Sequence, residues 1–582
     1  MSTSIRPEPR RSAAPGSPAR PDRRRALTRR LAPLLLAAAA AFVAGAVVGS
    51  GGEEPRRATA RAFVEAWSRG DYAEMRTLIT PQAQRHVSLR RFADAYRRAA
   101  KVATVSTVST GRVGEPRNGA VAVPVALRTR IFGTLSGRIV LPMVERDDGA
   151  AIAWKPYLVH PGLRPGETLS RRTAMPPRAA IQARDGTPLA EGEARLSELG
   201  ALASEIAGRV GPAPPDRAAE LERRGVPPDA PVGLTGLERE FDAELAGRPG
   251  GELRAGDRVL ASVASRRGSA VRTTIDPDVQ RAAVTALAGR YGGVAVIRPT
   301  DGEVLALAGI AYSAPQPPGS VFKIITLAAA LEAGVVTTTS RYPVQTSATL
   351  EGVELENAHG ESCGGSIREA FAHSCNSVFA PIGAELGARR LVAAAEKFGF
   401  NEDPGLAGAL RSTIPAAREI GDDLAVGSTA IGQGKVLATP LAIAGVAGAI
   451  AMDGVRVRPT LRKGAMTRRT RATTPQTAKA IGRFMRSVVT DGTGVGAAIP
   501  GVRVAGKTGT AELRDTTNDD PDPGDPDAPA PDDRTDTDAW FAAYAPARRP
   551  HVAAAVLLVG QGAGGETAAP VAKVVLEAAL RR

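Results

Sequence analysis

Cysteine, histidine, lysine and aromatic residues are all scarce in this 582-residue chain, which holds two Cys, five His, nine Lys and three Trp. The histidines, His86, His160, His359, His373 and His551, are scattered, and none opens a His-Glu-x-x-His helix, so a zinc protease has no ligand set. No zinc-finger spacing or RNA-binding aromatic motif occurs either, and neither a metal nor a cofactor is expected. Aromatics make up 4% of the chain while Ala, Arg, Gly and Pro abound, a profile of GC-rich coding that names no function. What is present is an apolar share of 43% in a chain too long for one core, so several domains are expected.

Charge is unevenly spread. The formal net charge is +15, and the first thirty residues carry nine Arg against only Glu8 and Asp22. Directly after them, LAPLLLAAAAAFVAGAVVG (Leu31 to Gly49) is an uncharged apolar run of 19 residues. As a helix it would be about 28 Å long, enough for a bilayer core of roughly 30 Å. An Arg-rich flank before such a run predicts a cytoplasmic N-terminus and a chain that continues outside the membrane. A cleaved signal peptide is the rival reading, but its apolar region is usually about 7 to 15 residues. Topology and anionic headgroups thus account for the basic tail, and a nucleic-acid partner is not expected. An extracytoplasmic location permits Cys363 and Cys375 to pair, although spacing alone leaves a disulfide and two free thiols equally open.

The chain divides by texture into a cytoplasmic tail (1–30), an anchor (31–50) and three further segments. Residues 54–163 open with helical spacing from Ala58 to Thr80, where Phe63, Val64, Trp67, Tyr72, Met75 and Leu78 form one stripe, and continue as alternating strands such as AVAVPVALRTRI. This predicts a small α+β spacer domain. Residues 164–268 mix short strands, turn dipeptides such as Asp185-Gly186 and helical runs, as an extended linker domain would. In 269–582, TTIDPDVQRAAVTAL leads a strand into an amphipathic helix, and GGVAVIRPTDGEVLALAG forms a hairpin about Thr300-Asp301-Gly302. An acidic insert within it, residues 514–538, has ten Asp, no Lys and frequent Pro, and is expected to be a disordered surface loop. Calcium is the sharper reading of that run, but the EF-hand spacing with its Gly and terminal Glu is absent.

Chemistry is concentrated in three short motifs. In PPGSVFKIIT, Ser320 and Lys323 stand three residues apart at a helix start, which brings them to one face. A serine there gains from the helix N-terminus and from an amine that can take its proton, provided burial or neighbouring cations lower the amine's pKa. Among 75 basic residues only nine are Lys, and Arg cannot accept a proton at neutral pH, so a Lys at this position is consistent with base chemistry. Ser-x-x-Lys alone is weak, because a solvated helix face explains it equally well. Ser374-Cys375-Asn376 and AGKTGTAE (Ala505 to Glu512) follow downstream, the latter at the end of an apolar strand-like run.

In this order and spacing the motifs resemble the penicillin-binding proteins and serine β-lactamases, whose signature is Ser-x-x-Lys, Ser-x-Asn, Lys-Thr-Gly. The long region before Ser320 resembles class B penicillin-binding proteins, and residues 54–163 resemble the nuclear-transport-factor-2-like domain of the methicillin-resistance type. The resemblance implies a multidomain α+β fold: a transmembrane helix, a small α+β domain, a dimerisation or linker domain, and a β-lactamase-like transpeptidase domain. It implies Ser320 as acylated nucleophile, Lys323 as proton acceptor and Ser374 as shuttle to the leaving group. Asn376 would bind the substrate amide, while Lys507, Thr508, Gly509 and Thr510 would bind its carboxylate. The N–H groups of Ser320 and Thr510 would form the oxyanion hole, and Gln433 and Gly434 would line the cleft. Its implied reaction is D,D-transpeptidation of peptidoglycan stem peptides ending in D-Ala-D-Ala, with β-lactams blocking the serine and cell-wall synthesis proteins as partners.

Two departures stand out: Arg178-Ala179 where the family often has Arg-Gly, and a short segment between GEVLALAG and PPGSVFK. A membrane-anchored β-lactamase, a catalytically idle scaffold and a bifunctional polymerase are the rivals. The long region before the serine disfavours the first, the intact motifs the second, and the lack of a candidate Glu pair the third. Gly360-Glu361-Ser362-Cys363-Gly364 mimics a nucleophile elbow, but no apolar strand precedes it and no helix directly follows.

Overall fold

The computed structural model describes residues 54–147, 149–512 and 537–581. The Arg-rich tail, the expected anchor and nearly all of the acidic insert lie outside the described residues. Among those described, no helix is long and apolar enough to cross a membrane. They form two compact units, residues up to Arg171 with Leu253–Ala261, and Arg172–Glu252 with Ser262 onward.

In the first unit the helical spacing from Ala58 to Thr80 is carried by two helices, α1 (Pro55–Arg69) and α2 (Tyr72–Thr77). Gly70 adopts a left-handed φ of 74°, and Asp71 caps α2 by accepting from the Glu74 N–H, so the chain turns instead of continuing. Phe63, Val64, Trp67 and Met75 thereby reach one core with Phe92 and Tyr96 of α3 (Leu89–Val102). That core lies on an antiparallel sheet ordered β1 (Val105–Thr110), β2 (Ala120–Thr129), β3 (Thr134–Arg146), β4 (Gly149–Ile152). Val121, Val123, Val125 and Leu127 of β2 face inward by the period of two, and the Trp154 indole donates to the buried Tyr96 hydroxyl at 3.1 Å.

The second unit begins with β5 (Ile181–Gln182) and β6 (Pro188–Ala190), joined antiparallel through the Asp185-Gly186 turn, with β7 (Val271–Arg272) parallel to β5. Arg178 is held here by a buried ion network. Its Nε lies 2.6 Å from Glu238 and its Nη1 2.9 Å from Asp242, while Arg195 and Arg217 reach the same two carboxylates at 2.6 and 2.8 Å. Buried charges persist only when paired in this way, so Arg178 is structural.

Beyond it, five strands form an antiparallel sheet: β8 (Gly292–Ile297), β9 (Val304–Gly309), β11 (Ala505–Glu512), β12 (Thr537–Ala545) and β13 (Val552–Leu558). Their order is β9-β8-β13-β12-β11, which leaves β11 at an edge. Both faces are covered, so β8, β12 and β13 are apolar without alternation. On one face Val294, Phe541 and Val556 pack with α4 (Pro277–Leu287) and α10 (Ala568–Leu580). On the other, Ala295, Trp540 and Leu557 join a core with α5 (Lys323–Ala333), α8 (Pro440–Ala451) and α9 (Pro475–Thr490). Between the faces of this unit, β10 (Cys363–Ser366), α6 (Ile367–Ala372) and α7 (Asn376–Leu386) complete one wall of a cleft beside β11.

One sequence boundary is corrected. Thr537 and Asp538, assigned to the disordered insert, are the first residues of β12: they pair with Glu512 and Ala511, and buried Asp538 accepts from the Gly560 N–H at 3.1 Å. A ladder partner on one side and a backbone donor on the other order these two polar residues despite their composition.

Trp540 ties the sheet to the segment before Ser320, its fully buried indole Nε1 donating to the Pro317 carbonyl at 2.8 Å. Trp540→Phe keeps most of the apolar area but strands that carbonyl, so it should lower stability by about 1–3 kcal/mol. The shift in denaturation midpoint checks this, and no measurable loss would mean that the hydrogen bond carries no net stability.

Candidate active site

The residues PPGSVFK enter the cleft as a 3-10 turn, Gly319–Phe322, that runs directly into α5. Ser320 thus lies just ahead of the α-helix rather than in its first turn, a refinement with a physical reason. Residues i and i+3 fall on one side of a 3-10 turn, and the Lys323 N–H bonds back to the Ser320 carbonyl, so the spacing of three sets the two residues one turn apart. Two glycines permit the turn. Gly319 has φ 53°, and a Cβ there would meet the Thr510 carbonyl oxygen at 2.4 Å; Gly432, φ 83°, would put one 2.0 Å from the Gly319 oxygen.

Ser374 sits on the opposite wall, between α6 and α7, in a left-handed conformation with φ 64° that is uncommon for serine. Its surroundings over-determine it. The Ser374 and Cys375 N–H groups bond back to Phe371 and Ala370, and Cys375 is disulfide-bonded to Cys363 of β10, Cα to Cα 5.8 Å. Of the two states left open for the cysteines, the pair is therefore the one present. Asn376 opens α7, and its Nδ2 donates to the Glu356 carbonyl at 2.8 Å, turning Oδ1 toward Lys323.

Lys507 points inward from the edge strand β11. Lys323 and Lys507 are both fully buried and converge on Ser374. Lys323 Nζ donates to the Ser374 carbonyl at 2.6 Å and to Asn376 Oδ1 at 2.7 Å, and stands 3.4 Å from Ser374 Oγ. Lys507 Nζ donates to that same Oγ at 2.8 Å and to the Thr508 carbonyl at 2.9 Å. The flanking walls are aromatic, Phe379 beneath Lys323 and Phe371 beneath Lys507, each amine 5.6 Å from the ring centre.

Burial in this apolar setting disfavours charge. It drives the Lys323 pKa well below the usual ammonium value, with the nearby Lys507 charge adding to the effect. Burial alone lowers Lys507 to about 7. Lys323 can then be a neutral amine whose two hydrogens are taken by the Ser374 carbonyl and Asn376, leaving its lone pair as a proton acceptor. A serine, an acceptor amine, a second hydroxyl and a nearby cation suit acyl transfer.

Thr508 and Thr510 lie on β11, with Thr508 Oγ1 2.6 Å from Thr493 Oγ1 and the Thr510 carbonyl against Gly319; Gly509 lies between them, packed against Pro318 and Trp540. Gln433 is half-buried and Gly434 exposed, whereas the backbone bond to the turn that carries Ser320 is made by Gly432, whose carbonyl accepts from the Gly319 N–H at 3.0 Å. Ser362 of the elbow-like motif is exposed ahead of β10. Two residues went unnoticed in the sequence. Asn357, nearly fully buried, accepts from the Ser377 N–H and donates to the Gln345 and Glu361 carbonyls, pinning the start of α7. Thr493 also bonds the Ala372 carbonyl, joining the end of α6 to β11. Neither belongs to a motif, and each acts only by spatial proximity.

Comparison with known proteins gives a consistent set of likenesses. Residues 292–577 match a penicillin binding protein transpeptidase domain, 55–167 an NTF2-like N-terminal transpeptidase domain and 185–268 a penicillin-binding protein dimerisation domain. The peptidoglycan D,D-transpeptidase PbpA of Mycolicibacterium smegmatis is 35% identical over 414 residues, 60% of this chain and 80% of that protein. PbpA of Mycobacterium tuberculosis is 35% identical over 413 residues with the same coverage. The solved structure of penicillin-binding protein A from M. tuberculosis as a penicillin G acyl-enzyme complex is 29% identical with TM-score 0.55, covering 69% of this chain and 99% of that one. Pseudomonas aeruginosa PBP2 in complex with WCK 5153 is 25% identical with TM-score 0.59, covering 71% and 97%.

The amine at Lys507 titrates at about 7 when folded and at about 10.4 when unfolded. Between those values the unfolded chain holds more protons, so stability increases as pH rises and is lost as pH falls through 7. The melting temperature of wild type should therefore climb from pH 7 to pH 9 relative to Lys507→Met, and parallel profiles would show that Lys507 is not depressed.

Proposed function

The chain belongs to the penicillin-binding protein family of peptidoglycan D,D-transpeptidases, and we propose that Ser320 is the residue through which it forms its acyl-enzyme. The observation that carries this reading is the placement of Ser374 Oγ between two buried amines, 2.8 Å from Lys507 and 3.4 Å from Lys323, with Lys323 one backbone turn after Ser320. Three motifs separated by up to 187 positions supply one proton path.

In the proposed sequence, Ser320 Oγ attacks the carbonyl between the two D-alanines of a stem peptide while Lys323 Nζ takes its proton. The tetrahedral oxyanion is held by the N–H groups of Ser320 and Thr510. Collapse breaks the peptide bond, and the departing D-alanine amine receives its proton by way of Ser374 Oγ, which accepts from Lys507. Asn376 holds the substrate amide, and Lys507, Thr508 and Thr510 hold its terminal carboxylate. An amine of a neighbouring stem then attacks the acyl-enzyme and frees Ser320. A β-lactam enters the same first step, but its leaving group stays tethered and the serine remains blocked. Domain limits of 54–163, 164–268 and 269–582, a single-pass anchor at 31–50 with the catalytic unit outside the membrane, and partners in a wall-building complex complete the reading; the apolar run after the Arg-rich tail supports the topology.

Labelling with a fluorescent penicillin tests it. Wild type should take up one stable label per chain and release D-alanine from a donor ending in D-Ala-D-Ala, and Ser320→Ala should do neither. Labelling that survives Ser320→Ala would sink the assignment, and rapid release of the label from wild type would favour a β-lactamase.

A further inference from the structure

A second cavity, of about 600 Å³, lies in the catalytic unit between α6, α9 and the segment Ala498–Val504 that feeds β11. Its lining is divided. Phe484, Val489 and Val502 contribute an apolar surface, and four arginines stand around it: Arg368 from α6, Arg483 and Arg486 one turn apart on α9, and Arg503 before β11. Among the described residues no carboxylate lines it. Among the described residues the hydrogen bond these guanidinium groups make is a long one, Arg368 Nη1 to Ser487 Oγ at 3.5 Å, and none of the four forms an ion pair.

Five other arginines of this unit, Arg178, Arg195, Arg217, Arg298 and Arg456, are each paired with a carboxylate. Here the carboxylates nearest in sequence are engaged in other bonds. Glu369 accepts from the Ser366 N–H and hydroxyl in a helix cap and feels Arg368 only through space, while Asp491 accepts from the Thr490 hydroxyl. Four like charges around a partly apolar hollow repel one another, and an occupant of opposite charge relieves that repulsion. A single carboxylate carries one charge, whereas a phosphate monoester carries close to two and offers oxygens that match guanidinium forks. The volume and apolar lining leave room beside it for a hydrocarbon group.

We propose that this cavity binds a phosphoryl dianion carried on an apolar stem, with Arg368, Arg483, Arg486 and Arg503 as its ligands. The same three elements run into the site described above. α6 ends at the turn carrying Ser374, α9 leads to Thr493, which bonds Thr508, and Arg503 lies four residues before Lys507, just ahead of β11. A bound anion therefore braces the walls of the catalytic cleft from behind, although its binding does not depend on the role given to Ser320.

The test uses the full-length protein in a neutral detergent, with pyrophosphate and dihexanoyl phosphatidic acid as probes for a free phosphate and a lipid headgroup. Both should raise the melting temperature saturably, the phosphatidic acid at the lower concentration. Arg483→Gln/Arg486→Gln should weaken both midpoints by at least about tenfold, as expected for losing charge-assisted hydrogen bonds. The N-terminal Arg-rich tail is present in both proteins and cancels from the comparison. Fluorescent-penicillin labelling and the melting temperature without anion should stay at wild-type level or above, showing that the variant folds. Unchanged midpoints in the variant, or no saturable shift in wild type, overturn the site; equal midpoints for the two probes overturn the apolar stem.

Discussion

Two lysine amines buried against one serine hydroxyl set the terms for the rest of the catalytic unit. An apolar wall and a like charge a few ångströms away each disfavour the ammonium form, so both groups cannot remain protonated at neutral pH. The pair divides unequally. Lys323 is depressed further because it lies in the field of Lys507 as well as being buried, and Lys507 is left near 7 by burial alone. One site thereby holds two amines of the same residue type with different affinities for a proton. Environments that push two titratable groups apart in this way assign their roles.

Holding such a pair requires walls that cannot drift, and the fold supplies them from elements distant in sequence. β11 is an edge strand, so its free side faces the cleft while its other side is fixed by the ladder to β12. The Gly319–Phe322 turn is clamped from three directions: Trp540 bonds Pro317, Gly432 bonds Gly319, and Thr510 packs on Gly319 so closely that a side chain there is excluded. The opposite wall is less regular. Ser374 occupies a left-handed conformation whose cost, of order 1 kcal/mol or more, is offset by the bonds of α6, the Cys363–Cys375 disulfide and the Asn357 bridge.

Much of this was legible in the sequence because it depends on local rules. The hairpin about Asp301-Gly302, the apolar strands of the central sheet and the Gly-Pro break before Ser320 each follow from turn chemistry or periodicity within a dozen residues. What was not legible depends on contacts across the fold. The stripe from Ala58 to Thr80 does not show where one helix ends and the next begins; the αL Gly70 and the Asp71 cap set that break. Thr537 and Asp538 share the composition of the acidic insert, and their ladder to β11 is invisible in one dimension. Asn357 and Thr493 act through side-chain hydrogen bonds and Gly432 through its backbone, all to residues distant in sequence that no residue pattern encodes, which is also why Gln433 and Gly434 drew notice instead of their neighbour.

The two central lysines also explain why residue type matters here beyond charge. This chain uses Arg for 66 of its 75 basic positions, yet both fully buried cations of the cleft are Lys. A guanidinium stays protonated under any condition in which the protein is folded, and its planar fork needs several acceptors that Ser374 and Asn376 do not provide. At Lys323 an Arg would hold a permanent charge and offer no lone pair to accept a proton. At Lys507 it would keep a cation but extend it past the Ser374 hydroxyl, and the field on Lys323 would no longer respond to pH. The amine is thus the side chain that can be buried, donate to two carbonyls and still release a proton, and the geometry around Ser374 is built to its size.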